Sequence, residues 1–335
     1  MESLKPSQWL RKLLDEANFK SFPLNMFSKS CLIYFKRDYG IFILQSKDKV
    51  YYTVKVQLYS ETAGMIDYNN QELLIGLYLK KFASGIPNLL HVQEIYLGKN
   101  PNSYPLFIRD PLQLSNCKNA DLREIYPVNR RRDEVFSYYM METCNYNLNY
   151  FLGVNKGTLT YETFLGYSFG LLVGLQTLHR LGVIHRDMKT ANVLLCNSKI
   201  AKEYANIKYI YTSSASLSSN KLQKSWTIPY SVLNNMDIKI IDFGEAEIID
   251  TDITNECQMF KNEISVALVE ILNTMWKKVI DKDKAKENNY LILSNNLRNC
   301  HMDSTNTLVE IMFSPIFDIF RKEEENSYHV HLLPF

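Results

Sequence analysis

The sequence lacks most features that mark extracellular, membrane-bound or nucleic-acid-binding proteins. Its six cysteines are scattered and form no Cys-x-x-Cys pair, which argues against a zinc site. No apolar run is long enough to predict a membrane-spanning helix, and none follows Met1 to predict a signal peptide. The formal net charge is only +2, so no strong field indicates a nucleic-acid or membrane partner. We therefore expect a monomeric, intracellular protein of the cytoplasm or nucleus, where thiols stay reduced.

The chain does contain enough apolar residues for a large core. It has 335 residues, 46% of them hydrophobic, which suits one large domain or two joined lobes. In its first half, β-branched and aromatic runs between turn residues predict strands at 31–35, 41–45, 50–58, 87–97 and 134–141. Helical spacing predicts helices at 7–18 and 69–82, and the polar stretch 99–133 is typical of a long insertion.

Apolar residues at helical spacing dominate the second half. They predict helices at 165–181, 260–279, 290–297 and 307–321, with Gly182 ending the first of them. A strand is predicted at 237–241. A second insertion is predicted at 196–236, and we expect the tail at 323–335 to be peripheral.

Two short segments carry the chemistry. Residues 185–192 read His-Arg-Asp-Met-Lys-Thr-Ala-Asn and lie between a predicted helix and an apolar run. Residues 242–244 read Asp-Phe-Gly and follow a predicted strand. Together, in this order, they resemble the catalytic loop and the metal-binding triplet of the eukaryotic-type protein kinase superfamily. The resemblance covers roughly residues 28–280. It implies an α+β, two-lobed protein-kinase-like fold, with a small antiparallel β lobe carrying one helix at 28–144 and a larger, mainly helical lobe at 145–335.

The resemblance implies ATP and Mg²⁺ as cofactors and gives these segments roles in phosphoryl transfer. Asp187 would accept or orient the proton of the acceptor hydroxyl, and Asn192 and Asp242 would hold Mg²⁺. Lys189 would contact the transferred phosphate, which favours a serine or threonine in a protein substrate. His185 is expected to fix the loop rather than to act as a base.

Lys55 resembles the strand lysine that binds nucleotide phosphates. Glu72 lies 17 residues later, on the first helix after the strands, and would form the ion pair that orients this lysine. Glu61 is a weaker candidate for the same partner, because it precedes the helix.

The remaining nucleotide contacts are also implied by the resemblance. Gly40 would be the last glycine of the phosphate-covering loop, Phe42 would cap the adenine, and Thr53 would touch it. Backbone groups near Glu142 and Cys144 would bind the adenine edge, and Leu194 would form the floor. The sequence departs from the family at two points: the first two loop glycines are replaced, and no Ala-Pro-Glu follows residue 244.

The second departure is shared with the haspin branch of the superfamily, which also has a long insertion before the metal triplet. Residues 225–231 and 102–106 are similar to haspin segments, and membership of that branch would imply a histone substrate. However, this chain keeps Lys189 and the Phe-Gly after Asp242, which haspins usually replace.

We therefore interpret the sequence as an ATP-dependent protein serine/threonine kinase. Two alternatives stay open. A pseudokinase, a binding module that keeps the fold, is favoured by the degenerate glycine loop. A small-molecule kinase is opposed by Arg186 and Lys189.

Overall fold

The computed structural model describes residues 20–36, 39–59, 68–90, 92–98, 110–111, 135–154, 156–197, 203–212, 223–249, 254–300, 304–321 and 327–332. Strands and helices are both present, so the fold is α+β. The chain divides into two compact units. The smaller takes its described residues from 9–81 and 91–143, and the larger from 82–90 and 144–335.

The smaller unit is built on a six-stranded sheet in the order β4-β6-β3-β2-β1-β5. Its strands are β1 (Phe27–Lys36), β2 (Tyr39–Ser46), β3 (Tyr51–Tyr59), β4 (Glu94–Gly98), β5 (Asp110–Pro111) and β6 (Val135–Glu142). The pairs are antiparallel except that β1 and β5 run parallel. Side chains alternate between the two faces of such a sheet, so each strand contributes to both.

One helix, α1 (Tyr68–Phe82), packs on this sheet. Leu73 is fully buried and clusters with Ile95 of β4 and Tyr139 of β6. Burial of one such leucine side chain stabilises the fold by about 1.5–3 kcal/mol. The contact fixes α1 on the face of the sheet that also carries Lys55, since Lys55 and Tyr139 are paired across β3 and β6.

Three predictions for this half need comment. The strand predicted at 87–97 is confined to Glu94–Gly98, because residues 88–90 instead hydrogen-bond to Ile240 in the larger unit. The short strand β5 lies inside the stretch predicted as an insertion. The helix predicted at 7–18 lies outside the described residues.

The larger unit is mainly helical. Its helices are α2 (Leu148–Leu152), α3 (Tyr161–Arg180), α4 (Thr254–Asn262), α5 (Val269–Trp276), α6 (Lys284–Arg298) and α7 (Ser304–Met312). A π-helical turn, Glu263–Leu268, joins α4 to α5, so the helix predicted at 260–279 is continuous but locally widened. The Thr160 hydroxyl accepts the Thr163 N–H and begins α3. Gly182 follows the end of α3 with φ 71°, which confirms it as the predicted terminator.

Three glycines lie on one face of α3, and two of them let the helix approach the strand that leads to the Asp-Phe-Gly segment. They recur every fourth residue, at 166, 170 and 174. A Cβ atom added at Gly170 would lie 2.6 Å from a methyl carbon of Ile238, and one at Gly174 would lie 2.8 Å from a methyl carbon of Ile240. Glycine is therefore needed here for close packing.

Four short strands connect the helices near the motifs. They are β7 (Tyr146–Asn147), β8 (Val183–Ile184), β9 (Val193–Cys196) and β12 (Asp237–Ile240). A fifth, β13 (Glu247–Ile248), pairs with β8, while β12, β9 and β7 form a three-stranded sheet.

A further sheet lies largely within the second insertion and corrects the prediction for the tail. The insertion predicted at 196–236 contains β10 (Asn206–Thr212) and β11 (Gln223–Pro229), which pair antiparallel. The tail predicted to be peripheral supplies β14 (Ser327–His331), parallel to β10. Phe169 of α3 contacts Tyr209 and Trp226 of this sheet, with ring centroids 5.2 and 5.3 Å away, so the sheet belongs to the core.

Two further observations bear on the expected environment. Cys144 and Cys196 form a disulfide, whereas a reducing compartment predicts free thiols. Within the described ranges, no helix is long and apolar enough to cross a membrane.

Candidate active site

The segment between β8 and β9 holds Asp187 in a defined orientation. Its Oδ2 atom accepts hydrogen bonds from Asn192 Nδ2 at 2.8 Å and from Lys189 Nζ at 2.5 Å. Asn192 Nδ2 also donates to the Asp187 carbonyl at 2.8 Å. Both side-chain contacts use Oδ2, and no hydrogen bond from the described residues reaches Oδ1. One carboxylate oxygen is thus anchored, while the side chain keeps 35% exposure.

His185 ties this loop to the end of β12. The Asp187 N–H donates to His185 Nδ1 at 3.3 Å, so Nδ1 is the unprotonated ring nitrogen. The proton then lies on Nε2, which donates to the Ile241 carbonyl at 2.7 Å. The ring is fully buried and 5.3 Å from the Phe243 ring. His185 therefore fixes the loop against the Asp-Phe-Gly segment.

A buried carboxylate supports the loop from the π-helical turn. Glu263 Oε1 accepts the Arg186 N–H at 2.9 Å, and its Oε2 is 2.7 Å from His179 Nε2. Burial alone would raise the pKa of Glu263, but the hydrogen bond and charge of His179, together with the Arg186 N–H, lower the pKa below its usual value. Glu263 is therefore a carboxylate that holds Arg186 in its left-handed backbone conformation, at φ 64°.

The strand register brings Asn192 and Asp242 to the same end of one small sheet. Val193, the first residue of β9, is paired with Ile240, the last of β12. The Ile241 N–H donates to the Asn192 carbonyl at 3.0 Å. Asp242 follows with φ 66°, a strained backbone state that is common at functional sites. Its carboxylate is exposed, and the Asn192 amide uses Nδ2 for its hydrogen bonds to Asp187. A carboxylate and an amide oxygen are ligands that suit Mg²⁺.

In the smaller unit, Lys55 and Glu72 form the ion pair that their spacing predicts. Lys55 Nζ lies 2.8 Å from Glu72 Oε1 and 2.6 Å from Oε2. The two side chains are 11% and 15% exposed. The ammonium also lies 4.8 Å from the centre of the Tyr39 ring, which adds a cation–π contact. The weaker candidate, Glu61, lies outside the described residues.

The predicted adenine contacts divide between two faces of the sheet. Thr53 shares the face of Lys55, is paired with Met141, and its hydroxyl donates to that of Thr143 at 3.3 Å. Phe42 is paired with Val54 and is 1% exposed in the core on the opposite face. Phe42 therefore does not share the face of Lys55, and the adenine-capping role expected of it is wrong. The reason is that neighbouring residues of a strand lie on opposite faces of the sheet.

The remaining predicted nucleotide contacts lie on strands or at their ends. Gly40 lies in β2, opposite Val56. Glu142 ends β6 in the smaller unit. In the larger unit, Cys144 is bonded to Cys196, and Leu194 lies half-buried in β9.

One family model and several known proteins match parts of this chain. A family model described as the protein kinase domain matches residues 112–266. A probable serine/threonine-protein kinase of Encephalitozoon cuniculi is 26% identical over 184 residues, which cover 53% of this chain and 33% of that protein. The human tyrosine-protein kinase TXK is 24% identical over 214 residues, or 58% of this chain and 40% of TXK. Platelet-derived growth factor receptor beta of Takifugu rubripes is 31% identical over 95 residues, or 27% of this chain and 9% of the receptor.

These matches support the protein kinase superfamily, whose kinase domain has two lobes, uses ATP with a divalent metal ion and acts on proteins. The chain spans less than half the length of each of these three relatives. Serine/threonine and tyrosine kinases both occur among them, so they do not distinguish the acceptor residue. They give no support to the haspin-like subgroup.

Sequence reasoning missed the supporting residues His179 and Glu263. Each is a titratable residue within an otherwise apolar helical pattern, and that is the signal which could have indicated a buried pair. The contact itself joins positions 84 residues apart and has no local signature.

Proposed function

We propose that this protein is an ATP-dependent protein kinase that phosphorylates serine or threonine residues. The orientation of Asp187 carries the proposal. Asn192 and Lys189 hold Oδ2, and Oδ1 receives no hydrogen bond from the described residues, so it is the atom suited to accept the proton of an acceptor hydroxyl.

The proposal gives each of the motif residues a role in phosphoryl transfer. Lys55, oriented by Glu72, would bind nucleotide phosphates, and Asn192 and Asp242 would hold the metal ion. When bound, Mg²⁺ neutralises the charge that develops on the phosphates. Asp187 would orient the acceptor hydroxyl and take its proton as the oxygen bonds to phosphorus. The bond from phosphorus to ADP breaks in the same transfer. Catalysis would come mainly from positioning and electrostatics.

Lys189 supports a serine or threonine acceptor. Its Nζ contacts Asp187, so its cation lies beside the proposed site of transfer. There it could neutralise the transferred phosphoryl group while the acceptor hydroxyl approaches Oδ1. The haspin-like subgroup rests on two short segments. One of them, 102–106, lies outside the described residues, so histones enter the test only as one candidate substrate.

The test is to incubate the purified chain with γ-labelled ATP, Mg²⁺, mixed histones and casein, and then to identify the labelled amino acid. Phosphoserine or phosphothreonine is the expected product. Phosphotyrosine alone would contradict the proposed acceptor and leave the protein kinase activity intact. No label in any protein, together with a rise in melting temperature on adding Mg-ATP, would favour the pseudokinase instead.

A further inference from the structure

The segment 87–90 lies alongside β12, the strand that leads to Asp242. The Ile240 N–H donates to the Asn88 carbonyl at 2.9 Å, and the Leu90 N–H donates to the Ile240 carbonyl at 3.0 Å. Ile240 comes just before the last residue that precedes Asp242, whose backbone is strained at φ 66°. A shift of this segment would therefore displace the end of the strand and, with it, the Asp242 carboxylate.

The Asn88 side chain fixes the segment in this position. It is 2% exposed, and its Nδ2 donates to the Ile238 carbonyl of β12 at 3.1 Å. Its Oδ1 accepts the Tyr209 hydroxyl at 3.0 Å. Gly170 of α3 leaves the room for this amide, since a Cβ atom added there would lie 2.7 Å from Nδ2. Rotation of the amide by 180° would bring Oδ1 against the Ile238 carbonyl, so the two hydrogen bonds allow one orientation.

Tyr209 belongs to the second insertion rather than to any segment that resembles the kinase motifs. It lies in β10, the central strand of the sheet β11-β10-β14, and is 1% exposed. Its ring packs against Phe169 of α3. Burial, aided by the charge of Asp237, raises the pKa of the hydroxyl above its usual value, so the group stays protonated and donates. Without this hydroxyl, Asn88 Oδ1 would be buried with no donor from the described residues.

We propose that Tyr209 is a positioning residue for the metal site: its hydroxyl orients Asn88, and Asn88 holds the end of β12 so that Asp242 can bind Mg²⁺. The inference rests on the proposed function, in which Asp242 is a metal ligand. Hydrogen-bond partners outside the ligand set typically change metal affinity by about 10- to 100-fold. Tyr209 acts through one further side chain, so we expect the lower limit, about tenfold. The sheet that the insertion and the tail form thus supports the metal site.

The first test compares Tyr209→Phe with Tyr167→Phe, which removes the same atom from a tyrosine that is also fully buried. The Tyr167 hydroxyl donates to the Leu233 carbonyl at 3.0 Å, in the turn before β12, and not to the segment 87–90. Both variants lose a buried hydrogen bond, so a general loss of stability affects them alike.

Tyr209→Phe should raise the Mg²⁺ concentration for half-maximal phosphoryl transfer about tenfold, with kcat at saturating Mg²⁺ within about twofold of wild type. The Mg²⁺ concentration that gives half of the ATP-induced rise in Tm should increase by the same factor. Tyr167→Phe should leave both concentrations unchanged. Equal Mg²⁺ dependence in the two variants would overturn the inference and leave Tyr209 with a purely structural role.

The second test asks whether Tyr209 acts through Asn88. Asn88→Ala shortens the side chain and keeps the backbone hydrogen bonds to Ile240. It should cause a similar shift in Mg²⁺ dependence, and adding Tyr209→Phe should cause no further shift, because the two residues lie on one path. Additive shifts in the double variant would contradict the proposed path.

Hydrogen exchange measured without ligand separates this inference from the proposed function. Backbone amides of residues 237–241 should exchange faster in Tyr209→Phe than in Tyr167→Phe, since the Ile240 N–H is bonded to Asn88. Equal exchange in the two variants would overturn the inference. If ATP and Mg²⁺ gave neither transfer nor a rise in Tm with the wild type, the proposed function would fail, and the exchange rates would still decide whether Tyr209 holds β12.

Discussion

Replacement of Glu263 by glutamine would measure how strongly the catalytic loop depends on one buried carboxylate. The Glu263 side chain is 4% exposed and its partner His179 is fully buried. Glutamine can still accept the Arg186 N–H, so the change removes charge and leaves the shape nearly constant. Hydrogen bonds to charged groups are worth about 1.5–3 kcal/mol, against about 0.5–1.5 kcal/mol for neutral ones. We therefore expect a loss of about 1–2 kcal/mol, and about 3–5 kcal/mol for Glu263→Ala, which leaves His179 without a partner.

Thermal unfolding is the assay, with Glu270→Gln as the control because Glu270 is exposed on α5 of the same helical run. For a unit of this size, a loss of about 1–2 kcal/mol lowers Tm by about 2–8 °C. The pH dependence gives an independent check. Since the folded-state pKa of Glu263 is lowered from 4.5, its carboxylate adds stability above that pH, and the contribution is lost as pH falls through the folded-state pKa. The difference between wild type and Glu263→Gln should therefore shrink as the solution is acidified below pH 4.5.

The reasoning would be refuted if Glu263→Gln unfolded at the same temperature as the Glu270→Gln control. It would also be refuted if the difference from wild type grew on acidification below the usual pKa of a glutamate. Either result would mean that the Glu263 carboxylate is not a stabilising charge in the folded protein.

Three further predictions concern the proposed ligand sites and the disulfide. Asp242→Asn should reduce phosphoryl transfer at least about 100-fold. Its Tm should stay nearly unchanged, because asparagine tolerates the left-handed backbone. Turnover near the wild-type rate would show that Asp242 does not hold the metal ion. Glu72→Gln should weaken Mg-ATP binding, measured as a smaller ligand-induced rise in Tm, because Lys55 loses its orienting partner; an unchanged rise would contradict this. The disulfide between Cys144 and Cys196 joins residues that are 52 positions apart. Its reduction should lower the free energy of unfolding by about 4 kcal/mol, measured by denaturant unfolding. Superimposable unfolding curves with and without reductant would argue against the bond.

The sequence predicted the elements that have local signals. The helix ending at Gly182 was predicted from apolar spacing and one terminator, and the loop carrying Asp187 from its motif. The ion pair between Lys55 and Glu72 was predicted from the resemblance to the protein kinase superfamily, in which a carboxylate on the first helix after the strands orients the strand lysine.

Features set by long-range pairing could not be predicted in this way. The strand at 327–331 pairs with a strand at 206–212, and nothing local in either segment indicates the other. The face on which Phe42 lies depends on the register between β2 and β3, and a one-residue offset reverses it. The pairing of Glu263 with His179 depends on how two helices pack.

The central claim is that Asp187 serves the acceptor hydroxyl and not the nucleotide. Its most direct test compares wild type with Asp187→Asn for phosphate transfer from labelled ATP and for the rise in Tm caused by Mg-ATP. The account predicts a loss of transfer of about 100-fold or more, the usual range for a general base, with the rise in Tm unchanged. Transfer by Asp187→Asn at the wild-type rate, or loss of the Mg-ATP effect on Tm, would contradict it.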